Sequence, residues 1–112
     1  MNNENQMKQL LFRIGLARRA GKLIVGTEMV CDGVRHGKVR IVVSAVDNSD
    51  NTKKRISDCC TYYKIPLYVI EADKEMLGHA IGKTHAACIG VTDENLSELI
   101  SRNLKEIKEK GE

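Results

Sequence analysis

The sequence predicts an α/β fold: one domain with a mostly parallel sheet between layers of helix. Two observations carry this. Short apolar runs (Leu23-Ile24-Val25, Arg40 to Val46, Leu67 to Ile70 and Ala86 to Val91) alternate from start to finish with longer stretches whose apolar residues recur at helical spacing. The second and fourth runs are apolar almost throughout, as strands covered on both faces are. The 112 residues suit a single domain, expected to span 1–112. A domain of that size buries roughly 65% of the surface its unfolded chain exposes, enough for a core without staples.

Each element has a local reason. Met7, Leu10, Leu11, Ile14 and Ala17 set a first helix over Asn5 to Ala20, with Arg18 and Arg19 in its last turn and Gly21 as its stop. The strand Leu23-Ile24-Val25 leads through Gly26-Thr27 into a second helix, with Glu28 in its first turn, Gly33 as a weak point and Gly37 as its end. After the Arg40 to Val46 strand, Asp47-Asn48-Ser49-Asp50-Asn51 is turn and N-cap chemistry. A third helix follows, with Ile56, Cys59, Cys60 and Tyr63 on one face, ended by Lys64 and Pro66. Asp73 caps a short helix to about Ile81. Asp93 caps the last, whose apolar face is Leu96, Leu99, Ile100, Leu104 and Ile107. Its charged tail, Lys105 to Glu112, is expected to fray.

Composition narrows the function. The formal net charge is +3, mildly basic, which permits nucleic-acid binding. Tryptophan is absent and the aromatics are Phe12, Tyr62, Tyr63 and Tyr68, too few for a base-stacking platform. An RNA role would therefore rest on shape and backbone contacts. Cys31, Cys59, Cys60 and Cys88 show no C-x-x-C spacing, so neither a metal site nor a cofactor is expected. No apolar run reaches transmembrane length and no signal-peptide core is present, so a cytoplasmic protein without a membrane partner is expected.

Three segments invite a chemical reading. Arg18-Arg19-Ala20-Gly21-Lys22 leads into Gly26-Thr27-Glu28, combining cations with a helix N-terminus, the ingredients of an anion site. Thr52-Lys53-Lys54-Arg55 places cations in the first turn of a helix, against the dipole, so Asp47, Asp50 or a bound phosphate should offset them. Gly78-His79-Ala80-Ile81-Gly82-Lys83-Thr84 resembles a P-loop, but has three residues between its glycines where four are needed. A helix also precedes it and a strand follows, the reverse of the P-loop order. No nucleophile elbow, carboxylate pair or triad is visible, which argues against an enzyme and leaves the catalytic-residue list empty.

Leu16-Ala17-Arg18-Arg19-Ala20-Gly21-Lys22, Gly26-Thr27-Glu28, Asn51-Thr52-Lys53-Lys54, Tyr63-Lys64-Ile65-Pro66, Leu77-Gly78-His79-Ala80-Ile81-Gly82-Lys83 and Val91-Thr92-Asp93 follow one another in a familiar order. Together they resemble the bacterial YlxQ-type proteins, within the superfamily of kink-turn RNA-binding ribosomal proteins (seven-Ae and thirty-e). The likeness covers about residues 7 to 104. It implies a three-layer α-β-α sandwich with a central four-stranded mixed sheet. It also implies a non-enzymatic protein that binds structured RNA, kink-turn-like or ribosomal, in association with the ribosome or translation machinery.

In that superfamily two loops form the site, and the matching positions here are Gly26 to Asp32 and Lys83 to Ala86. The resemblance implies close RNA approach at Gly26, donation from Thr27, contact by Glu28, backbone charge from Arg18, Arg19 and Lys22, and a clamp from Lys83, Thr84 and His85. The usual pattern is Gly-x-Asn-Glu followed by a lysine three positions on; here Glu28, Met29 and Asp32 stand instead. Those substitutions support a second reading, a protein-interaction or assembly module that kept the fold and lost kink-turn recognition.

Overall fold

The last strand of the chain enters the middle of the sheet, and this makes the sheet mixed. The computed structural model describes residues 3–110, with side chains from residue 4 to residue 107. The elements are α1 (Asn3–Arg19), β1 (Leu23–Val25), α2 (Thr27–Arg35), β2 (Ile41–Ser44), α3 (Asp50–Tyr63), β3 (Leu67–Val69), α4 (Lys74–Ala80), β4 (Cys88–Val91) and α5 (Glu94–Lys110). The strand order is β1-β4-β2-β3. β2 and β3 pair in parallel, whereas β4 is antiparallel to both β1 and β2.

The expected mostly parallel sheet is therefore corrected to the four-stranded mixed sheet that the resemblance implied. The reason lies in α4. The Ala86 N–H donates to the Lys74 carbonyl at 3.0 Å, so the excursion from α4 to the following loop starts and finishes at one place. β4 begins at the edge where β3 ended and runs the other way. Alternating helix and strand does not disclose that return.

Two cores confirm the layers. On one face α1 (Leu10, Ile14, Ala17), α4 (Leu77) and α5 (Ile100, Leu104) pack on Ile41, Val43, Ile89 and Val91. On the other, α2 (Val30, Val34) and α3 (Ile56, Cys60) pack on Val42 and Cys88. Val42 and Val43 face opposite layers because strand side chains alternate. Burying each such side chain contributes about 1.5–3 kcal/mol, which explains the apolar strands.

Some details depart from expectation. α2 runs unbroken through Gly33, whose place in the helix has a packing reason. A Cβ there would stand 2.8 Å from Ile24 Cδ1 and 3.0 Å from Val39 Cγ2, so the missing side chain lets the helix lie on the sheet. On α3, Ile56 and Cys60 are buried and Cys59 half-buried, but Tyr63 is exposed, edge-on to Tyr62. On α5, Leu99 is exposed and Asn103 takes its place on the buried face, accepting from Arg13 Nη1 at 2.5 Å. The tail expected to fray is helical as far as Lys110; residues 111 and 112 lie outside the described residues. Among the described residues no helix is long and apolar enough to cross a membrane.

All four cysteines gather on the α2–α3 side of the sheet, and all are free thiols. No group of three or more potential ligands is arranged to hold a metal among the described residues. Burial pushes the Cys31 thiol up to about 11 and the Cys60 and Cys88 thiols up to about 12. Only Cys59 is better than marginally accessible. Iodoacetamide at neutral pH is expected to label the folded protein at Cys59 alone, and the other three only after denaturation. Peptide mass spectrometry checks this, and rapid native labelling at Cys88 would contradict it.

Candidate nucleic-acid interface

β1, β2 and β3 run in the same direction, because β1 and β2 are each antiparallel to the β4 between them. The turns leaving all three strands therefore come off one edge of the sheet, and the loop entering β4 meets them there. The carboxyl ends of strands in an α/β sheet form a natural crevice for ligands.

Gly26 fixes the first of these turns. Its N–H donates to the Cys88 carbonyl at 3.0 Å, and its backbone sits at φ 95, ψ 151. That region is essentially reserved for glycine, and a side chain there costs about 1–3 kcal/mol. Gly26 is also the N-cap of α2 and brings no side-chain acceptor to it. The other helices that begin after a turn are capped: Ser49 Oγ accepts from Thr52 N–H at 3.2 Å, Asp73 from Met76 N–H at 2.8 Å and Asp93 from Leu96 N–H at 2.9 Å. The first turn of α2 is left with backbone donors and the positive end of the helix dipole facing the crevice. Thr27 is half-buried, and its hydroxyl near the Cys88 thiol partly offsets the upward push of burial on that thiol.

Glu28 is exposed and held by α3. Arg55 grips it in a two-pronged pair, Nη1 to Oε2 at 2.5 Å and Nη2 to Oε1 at 2.7 Å. The bonded carboxylate raises the Arg55 guanidinium further above its ordinary value. Asp32 likewise faces Arg35 at 3.3 Å, with His36 Nδ1 at 3.5 Å. Both carboxylates that depart from the superfamily pattern thus have an arginine partner.

This corrects the expectation for the basic turn of α3. Arg55 is offset by Glu28 and Lys54 by Asp58 at 3.3 Å. Asp47, expected to offset them, instead accepts from the Lys74 N–H at 2.9 Å and caps α4. The Glu28–Arg55 pairing joins residues far apart in the chain on two different helices, and no local pattern signals it.

The α4–β4 loop closes the crevice. Gly78 has no room for a Cβ, which would lie 2.5 Å from His85 Cα. The Lys83 N–H donates to the Gly78 carbonyl at 2.8 Å, folding the loop back over the helix end. Lys83, Thr84 and His85 are exposed at its tip. The base of the loop is pinned by buried Asn48, whose Nδ2 donates to the Ala87 carbonyl at 3.0 Å, to Ser44 Oγ at 3.0 Å and to the Ala45 carbonyl at 3.2 Å. The segment lies between α4 and β4, the order that the sequence indicated.

The edge brings together Gly26, Thr27, Glu28 and the Lys83-Thr84-His85 loop. It does not bring Arg18, Arg19 and Lys22 to them. The Lys22 carbonyl accepts from Thr92 N–H at 3.0 Å, beyond the far end of β4. Lys22 and Gly26 flank a strand rising about 3.3 Å per residue, which separates them by about 13 Å. Arg18 is exposed at the end of α1, and Arg19 borders a groove between α1 and α4. The basic stretch Arg18 to Lys22 and the helix start at Gly26, continuous in sequence, thus lie at opposite edges of the sheet. The cations of the α3 first turn, Lys53 and Lys54 among them, follow β2 out of the same edge as Gly26.

Residues 8–101 match the Ribosomal protein L7Ae/L30e/S12e/Gadd45 family, and the chain belongs to that family. Among its relatives is the RNA-binding protein YlxQ of Bacillus subtilis (strain 168), 37% identical over 89 residues, covering 79% of this chain and 88% of that protein. The RNA-binding protein YlxQ of Enterococcus faecium is 36% identical over 96 residues, covering 86% and 91%. The fold is shared with the Giardia lamblia 15.5kD RNA binding protein at a TM-score of 0.74 and 17% identity, covering 93% of this chain and 88% of that one.

Proposed function

We propose that this chain is a non-enzymatic RNA-binding protein that docks a structured RNA, kink-turn-like or ribosomal, at the edge carrying Gly26 and the α4–β4 loop. One observation carries the proposal: the uncapped N-terminus of α2 stands beside that exposed loop, with the α3 cations at the same edge. The names of its relatives support it. Backbone N–H groups at a helix start bind phosphate oxygens, and lysines add the salt-dependent part of the affinity. Gly26 allows close approach, Glu28 meets the RNA as a carboxylate already neutralised by Arg55, and Thr27 donates from the first turn of α2. Lys83, Thr84 and His85 contact the RNA from the opposite side. Arg18, Arg19 and Lys22 serve RNA that extends past the sheet. The proposed setting is the cytoplasmic translation machinery.

The test is a titration against a kink-turn RNA and a copy with its sheared G·A pairs broken. Lys83→Ala is expected to weaken binding several-fold and to flatten the salt dependence by about one unit of log–log slope. Lys22→Ala should have a smaller effect. Unchanged affinity in Lys83→Ala at low salt would remove this loop from the interface. Equal binding of both RNAs would limit recognition to backbone contact. The carboxylates Glu28 and Asp32 favour a second reading, a protein-assembly module; partners that survive ribonuclease in a pull-down distinguish it.

A further inference from the structure

An apolar surface is left open between α1 and α4. Phe12 is 63% exposed, Met76 44% and Leu16 42%, an unusual concentration for so small a protein. Phe12, Met76 and Leu11 line a shallow groove of about 430 Å³. Its floor is formed where the helices nearly touch: a Cβ on Gly15 would stand 2.8 Å from the Ala80 carbonyl oxygen. The groove's charged groups are Lys8 and Arg19, its titratable group is His79, and no carboxylate lines it.

We propose that this groove is a docking site for an acidic amphipathic helix of a partner protein. The shape suits a helix laid along α1, its apolar residues at i, i+3 or i+4 and i+7 covering Phe12 and Met76. The charge selects the occupant. Lys8 and Arg19 are eleven positions apart on α1, about 16 Å along the axis, so they meet carboxylates about three turns apart on the partner. A second copy of this chain carries net charge +3 and opposes the same cations. Single-stranded RNA would find Phe12 and the His79 imidazole and otherwise an aliphatic floor, a poor stacking surface for successive bases. The site shares Arg19 with the extended RNA path proposed above and otherwise uses different residues.

The test is selection of a display library of random helical peptides, about 16 residues long, on the full-length RNA-free protein. The expected winners carry Asp or Glu flanking an apolar i, i+3/i+4, i+7 stripe. They are expected to bind Phe12→Ser or Met76→Ser at least tenfold more weakly, and Lys8→Glu more weakly as well, while Phe12→Ser keeps its affinity for kink-turn RNA. Circular dichroism and thermal melts of each variant separate lost docking from lost fold. An empty selection, winners without acidic residues, or winners indifferent to Phe12→Ser and Met76→Ser would overturn the proposal. So would a single-stranded RNA affinity, or a concentration-dependent dimer, that Phe12→Ser abolishes, since either gives the groove a different occupant.

Discussion

Gly78→Ala is expected to destabilise the protein by about 3 kcal/mol, near the upper end for an overpacked site. The added Cβ would lie 2.5 Å from His85 Cα and 2.7 Å from its backbone N and C. Those atoms are main chain and cannot turn aside as a side-chain tip can. Relief comes only by lifting the loop that carries Lys83, Thr84 and His85 or by shifting α4, whose Leu77 is fully buried in the core. At about 4 °C per kcal/mol for a domain of this size, the melting temperature should fall by about 12 °C. RNA affinity, measured where the variant is still folded, should fall by more than Lys83→Ala alone produces, because the whole loop is displaced. A melting temperature within 3 °C of wild type would show that the loop yields freely and is not braced by this contact.

The second large effect is expected at Asn48. Its amide nitrogen faces three acceptors, two carbonyls and the Ser44 hydroxyl, and the residue is only 6% exposed. Asn48→Ala removes all three donations and should cost about 2 kcal/mol, although the Ala87 carbonyl keeps the Ala45 N–H and the Ala45 carbonyl keeps the Ser44 hydroxyl. Asn48→Asp should cost more: it replaces a donor with a charged acceptor aimed at the Ala45 and Ala87 carbonyls, and repulsion adds to desolvation. Because the Ala87 carbonyl belongs to the base of the α4–β4 loop, both changes are expected to loosen the proposed RNA-facing edge as well as the fold. Urea unfolding of the three proteins gives the order. Asn48→Asp more stable than Asn48→Ala would refute the assigned hydrogen-bond direction.

The legible features of the fold were local. Period and caps placed the helices: Gly21 and Gly37 end α1 and α2 at positive φ, and Asp73 and Asp93 cap α4 and α5 as expected. Strand direction was not local. Nothing in Ala86 to Val91 says that this run enters between β1 and β2, since that follows from the closure of α4 onto Lys74. The candidate site divides the same way. Gly26 and the Lys83 loop could be marked from motif order, and the structure places them on one edge. Lys22 seemed to belong with Gly26 because they are four positions apart, but a strand carries them to opposite ends. Glu28 seemed an isolated acid because Arg55 arrives from another helix. Asp47 and Asn48 looked like ordinary turn residues; their partners, Lys74 and Ala87, lie far along the chain.

The central place of β4 also bears on when the protein matures during synthesis. Among the described residues β1 pairs with β4 alone, and β4 follows every other strand in sequence. A nascent chain that has emerged only through β3 can pair β2 with β3, but it holds β1 and its glycine turn as an unpaired edge. Closing that gap joins residues some sixty-five positions apart, as in Leu23 with Val91, so it is a late, entropically costly event. The carbonyl that receives the Gly26 N–H is supplied by Cys88, and the loop before it by residues translated just earlier. The proposed RNA-facing edge is thus assembled only once β4 has emerged, after every other strand, and a chain that stops short of β4 lacks that surface.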